Sequence, residues 1–171
     1  MAEAVVRSLA EHLPVEVSSA GTGVVQAVPS PKKTLKAASA LGYDLGEHRS
    51  RSLADVNLDA ADLVVGFEIA HVATAVVERG ADRSKTWLLT QLVRALEAEP
   101  AGARQAAGSV DEARSHLARA AELRSSAPPM LDDQIADPMG RSARTHEATA
   151  RTIDELCRRI VAGLFPDNSG G

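Results

Sequence analysis

The chain has 171 residues, 44% hydrophobic and 25% charged, with a net charge of −4. That is the size and balance of one soluble globular domain with its own core. The charge gives no reason to expect a nucleic acid or an anionic membrane as partner, and no apolar run approaches the length that spans a bilayer.

One cysteine, Cys157, excludes an internal disulfide and suits a reducing cytoplasm. Met1 to Arg7 lack the basic start and apolar block of a signal peptide, so a cytoplasmic location is the expectation. Aromatic residues make up only 2%, which leaves the core to Ala, Val, Leu and Ile.

Residues 2–13 read as a helix, with Val5, Leu9 and Leu13 at four-residue spacing. Pro14 ends it, and Val15 to Ser19 alternates like a short strand. A turn at Ala20–Gly23 leads into a loop through Pro29 and Pro31. A basic-faced helix over 32–41 closes at Gly42, as a C-cap would. Asp44 to Leu58 is polar and loop-rich. Leu63 to Phe67 is apolar on both faces, as a strand inside a parallel sheet would be.

A helix from about Glu68 to Arg79 closes at Gly80, Thr86–Leu89 is a second buried strand, and helix returns over Gln91–Ala98. Strands and helices alternate, which implies a doubly wound α/β sheet. Pro100 to Gly108 reads as an Ala/Gly-rich linker. Residues 109–124 form a charged, Ala-rich helix, expected to pack on the outside with a solvated face. The last helix, about 143–164, sets Ile153, Cys157, Ile160, Val161 and Leu164 on one side.

Between these last two helices lies Asp132-Asp133-Gln134-Ile135-Ala136-Asp137-Pro138-Met139-Gly140. Pro138 biases Asp137 away from helical angles and stiffens the chain after it. A carboxyl group held on a rim is what general acid catalysis requires, although Asp-Pro alone is also an ordinary turn.

Ligands of open α/β sheets bind at the carboxyl ends of the strands. Those ends here are Ser19–Thr22, Phe67–His71 and Thr90–Gln91, with the Asp137 loop as a further candidate. Cys157, in mid-helix on the apolar face, reads as core rather than nucleophile. No glycine-rich phosphate loop of the usual spacings is present. The five histidines are scattered without metal-ligand spacing, so neither a metal nor another cofactor is expected. His48, Arg49 and Arg51 fit an anion contact or a solvated charged loop equally well.

Five pieces in register, Ser18-Ser19-Ala20-Gly21-Thr22, Leu41-Gly42-Tyr43-Asp44, His48-Arg49-Ser50-Arg51, Ala61-Asp62-Leu63-Val64-Val65 and Asp137-Pro138, resemble the low-molecular-weight protein tyrosine phosphatases. Arsenate reductases coupled to thioredoxin are their near relatives. The resemblance implies one domain over 1–171, with a parallel sheet of about four strands and helices on both faces. The helix near 109–124 would be an insertion.

It also implies chemistry. A cysteine thiolate in a C-x5-R-[ST] loop attacks phosphorus, while loop amides and the arginine hold the phosphoryl oxygens. The Asp-Pro aspartate protonates the leaving oxygen and then activates water. By carry-over Asp137 is that acid, and Ser19 and His48 support the phosphate loop from behind.

The family often reads C-x5-R-S-P-M-A-E, whereas this chain opens Met1-Ala2-Glu3. The expectation is therefore an N-terminally truncated member without the first, central strand, the nucleophile or the arginine, and inactive as it stands. The substrate of a complete form would be a phosphorylated protein or a small phosphomonoester. Met139, Gly140 and Arg141 stand where the family often has aromatics that grip phosphotyrosine. A non-catalytic binding or regulatory protein, or part of an arsenate-reductase-like enzyme, are the alternatives.

Overall fold

The computed structural model describes residues 1–100, 109–126 and 129–166. Its sheet has two parallel strands, β1 (Val64–Gly66) and β2 (Thr86–Leu88), with Val64 opposite Thr86, Val65 opposite Trp87 and Gly66 opposite Leu88. Parallel strands need a crossover. It is α3 (Ile69–Ala73), prolonged by a π-helical turn over Thr74–Glu78, so the regular helix expected from Glu68 to Arg79 is interrupted. Gly80, at φ 71°, turns the chain back toward β2 in a conformation that costs glycine little.

β2 is buried throughout, and the hydroxyl of its one polar residue, Thr86, donates to the Asp82 carbonyl at 2.8 Å. β1 departs from the expectation of burial on both faces, since Val64 and Val65 are only half-buried. It has β2 on one edge and, among the described residues, no second strand along the other. The strand expected at Val15–Ser19 joins no ladder either. Its alternation survives as burial, with Val15 and Val17 half-buried and Glu16 and Ser18 exposed. The carbonyl of Val17 accepts Arg7 Nη2 at 3.0 Å instead of a neighbouring strand. Pairing resumes only at Gly21, which exchanges hydrogen bonds with Arg51 and Leu53 in a single parallel bridge to Ser52.

The other helices are α1 (Ala2–Leu9), α2 (Lys32–Ser39), α4 (Leu89–Glu97), α5 (Val110–Glu122) and α6 (Ala143–Leu164). α6 is the axis, packed by α1, α2, α4 and α5, and it buries the stripe His146, Ala150, Ile153, Leu156/Cys157, Ile160 and Leu164. That spacing of three and four is one face of a helix. α1 stops at Leu9, short of the expected residue 13, because Pro14 disfavours helical angles just before it and Glu11 and His12 face solvent. α4 starts at Leu89, directly off β2.

α5 has the clearest local encoding. Ser109 and Glu112 form a reciprocal capping box. Contrary to the expectation of an outer, solvated helix, α5 buries Ala113, His116 and Ala120. His116 Nδ1 lies 2.9 Å from Glu99 Oε2, and Arg119 Nε donates to Glu99 Oε1 at 2.5 Å. The linker segment 101–108 lies outside the described residues.

Candidate active site

Two polar constellations occupy the places that the sequence singled out. The first gathers on Glu3 in the opening turn of α1. Ser19 Oγ donates to Glu3 Oε2 at 2.5 Å, Arg7 Nη2 donates to Oε1 at 2.5 Å, and His48 Nδ1 is 3.8 Å from Oε2. Burial alone would raise the Glu3 carboxyl, but the Ser19 hydroxyl and the charges of Arg7 and His48 outweigh it and hold the carboxyl below the ordinary range.

Ser19 and His48 therefore meet through a third side chain. Nothing in the sequence marked Glu3 for this place, since it reads there only as the polar face of an amphipathic helix. The three residues line a cavity of about 460 Å³, with Arg7, Arg49 and Arg51 also on its wall. Arg49 is spent on the carbonyls of Gly46 and His48 at 3.0 and 2.9 Å.

The second constellation is the Asp137 loop, docked at the carboxyl end of β1. Ile135 N–H donates to the Phe67 carbonyl at 2.8 Å. Gln134 Oε1 accepts the Ile69 N–H at 3.0 Å, serving one of the open donors at the start of α3. Asp137 N–H donates to Glu68 Oε1 at 3.3 Å, and Asp137 Oδ1 accepts the Met139 N–H at 2.9 Å.

So the carboxylate is exposed but turned back over its own loop, next to Pro138. Glu68 and Gln134 hold this loop, and no sequence pattern marks either for that role. Asp137 does not line the Glu3 cavity. The structure thus brings Ser19 and His48 together and keeps Asp137 in a separate place.

Cys157 sits in neither. It is 1% exposed on α6, and burial pushes its thiol up to about 12. A thiol held neutral in the core cannot act as a thiolate nucleophile.

A family model described as low molecular weight phosphotyrosine protein phosphatase matches residues 1–103. The chain belongs to that family. The match spans the Glu3 cluster, β1, α3, β2 and α4, and stops before α5 and the Asp137 loop. Comparison with curated proteins finds no match.

Among solved structures, the chain is similar to a low molecular weight protein tyrosine phosphatase from T. tengcongensis, at 18% identity and a TM-score of 0.65, over 94% of this chain and 86% of that one. It is also similar to a YwlE mutant from Bacillus subtilis, at 22% identity and a TM-score of 0.63, over 92% and 84%. The YwlE arginine phosphatase from Geobacillus stearothermophilus aligns at 21% identity and a TM-score of 0.63, over 92% and 79%. At these identities the likeness is one of fold. It extends the phosphatase-like α/β architecture past residue 103, the end of the family match. No helix among the described residues is long and apolar enough to cross a membrane.

Proposed function

We propose that residues 1–171 form the acid and scaffold portion of a low molecular weight phosphatase site, and that they do not hydrolyse phosphomonoesters by themselves. The burial of Cys157 carries this reading. Its thiol is the only one in the chain, and its environment keeps it protonated far above neutral pH. In the family's reaction a thiolate attacks phosphorus and the leaving oxygen departs with a proton from an aspartic acid. Water, deprotonated by the same carboxylate, then frees phosphate from sulfur. Asp137, on the rim of the sheet beside Pro138, is our candidate for that acid. Ser19 and His48, joined through Glu3, are candidates for the support of a phosphate-binding loop.

Release of nitrophenolate from p-nitrophenyl phosphate tests the proposal. The 171-residue chain is expected to give none above the rate in buffer. Turnover that disappears in Asp137→Ala would overturn it.

A non-catalytic role is the second reading, favoured by the same buried thiol. It fits a chain that keeps the family's fold and binds a phosphorylated protein without cleaving it. A stable, monodisperse 171-residue protein that retains a phosphoprotein unchanged would support it. An aggregated or molten chain would count against it.

A further inference from the structure

Several helix arginines meet carboxylates: Arg94 with Asp133, Arg114 with Asp62, Arg119 with Glu99, Arg158 with Asp154 and Arg159 with Glu97. The cations at the starts of α2 and α6 do not. Lys32, Lys33 and Lys36 of α2 are exposed, and so are Arg141 and Arg144 at the entry to α6. The two segments are tied together. Lys33 Nζ donates to the Arg141 carbonyl at 2.7 Å, and Thr34 Oγ1 lies 3.2 Å from Nδ1 of buried His146.

Among the described residues no carboxylate pairs with any of these five cations. Neither helix has an acidic residue in its first turn, where acids are favoured. In a chain of net charge −4, this is a local patch of the opposite sign.

We infer that this surface docks an acidic peptide segment of a partner protein. The cations stand on exposed side chains along two adjoining segments, which matches an extended row of carboxylates better than a single small anion. A duplex or a bilayer would meet the field of the whole molecule, which is negative, whereas a short peptide meets only the patch. Docking here involves no catalytic step, so it stands or falls separately from the role of Asp137.

The test is fluorescence anisotropy of a labelled oligoglutamate peptide with the full chain, using oligoglutamine as the neutral control. Saturable binding of oligoglutamate alone is expected. It should weaken as added salt shortens the screening length from about 10 Å at 0.1 M to about 3 Å at 1 M. The pair Lys32→Glu with Arg144→Glu should weaken binding about tenfold. The neutral pair Lys32→Gln with Arg144→Gln should fall between, with an unchanged circular dichroism spectrum. Absence of saturable binding, or equal affinity of the charge-reversed chain, overturns the inference. So does tighter binding of a single-stranded oligonucleotide or a phosphatidylserine vesicle than of oligoglutamate.

Discussion

Arg94 grips Asp133 with both arms of its guanidinium. Nη1 is 2.8 Å from Oδ1 and Nη2 is 2.9 Å from Oδ2. The carboxylate also accepts the Met130 N–H at 2.6 Å, and the Asp133 carbonyl accepts the Thr90 hydroxyl at 2.5 Å. This pair moors the loop to α4 four residues before Asp137.

Asp133→Ala should therefore destabilise the protein by about 2 kcal/mol. That is below the cost of breaking a fully buried pair, because Arg94 keeps some contact with water. Chemical denaturation measures the loss, and amide exchange over residues 134–139 should quicken more than over α6. Unaltered exchange in that loop would show that Pro138 and the Phe67–Ile135 bond suffice to hold it.

The core position of Cys157 has a chemical consequence. A thiol reagent such as Ellman's should leave the native chain unmodified near neutral pH and label it fully in denaturant. The pH sign follows from the raised thiol. The unfolded chain ionises first, at the ordinary value near 8.5. Stability from this group is then whole at neutral pH and falls as pH rises from there toward about 12. Cys157→Ala removes that alkaline slope and costs about 1 kcal/mol for the small cavity. Rapid native labelling would sink both the burial and the proposed inactivity.

Much of this fold can be read from periodicity, and what cannot be read is mostly contact. α6 is legible because its apolar residues keep one stripe over many turns, and β2 because a β-branched threonine leads into the apolar run Trp87-Leu88-Leu89. Val15 to Ser19 carries the alternation of a strand without becoming one. A strand is defined by its neighbour, and a sequence pattern records only the faces. The charged surface of α5 hid its burial for a similar reason. Its buried positions are two alanines and a histidine, and His116 is acceptable inside only because Glu99, seventeen residues earlier, comes to meet it. Ser19 and His48 stand out as a pair only through the family resemblance. Glu3 and Glu68, which anchor the two constellations, have no pattern that distinguishes them from surface carboxylates.

Glu3 should shape the acid limb of the stability curve. Its folded carboxyl is held below the usual range, so its contribution is complete above the unfolded value. The contribution disappears as pH falls through the folded one. Glu3→Gln keeps the shape of the side chain and removes the charge. We expect a variant that is less stable near neutral pH and loses less on acidification than the parent. Unfolding midpoints in urea measured from neutral to acid pH check this. Parallel curves for the two proteins would mean that the cluster of Ser19, Arg7 and His48 does not depend on the carboxylate.

Gly66 gives the sharpest packing prediction. It ends β1, and α3 crosses so near that an added Cβ would lie 3.0 Å from His71 Cβ, 3.1 Å from Val72 Cγ2 and 3.3 Å from the Val72 nitrogen. A side-chain tip could swing away, but a Cβ and a backbone nitrogen move only with the helix. Gly66→Ala should then cost about 1–3 kcal/mol. The displacement should reach Glu68, which accepts the Asp137 N–H, so the Asp137 loop should loosen together with α3. Gly23→Ala is the control, because no atom lies within 4 Å of a Cβ there. Its unfolding midpoint should stay close to that of the parent. If Gly66→Ala is as harmless as Gly23→Ala, α3 can draw back from β1 freely, and Glu68 cannot be what fixes the Asp137 backbone.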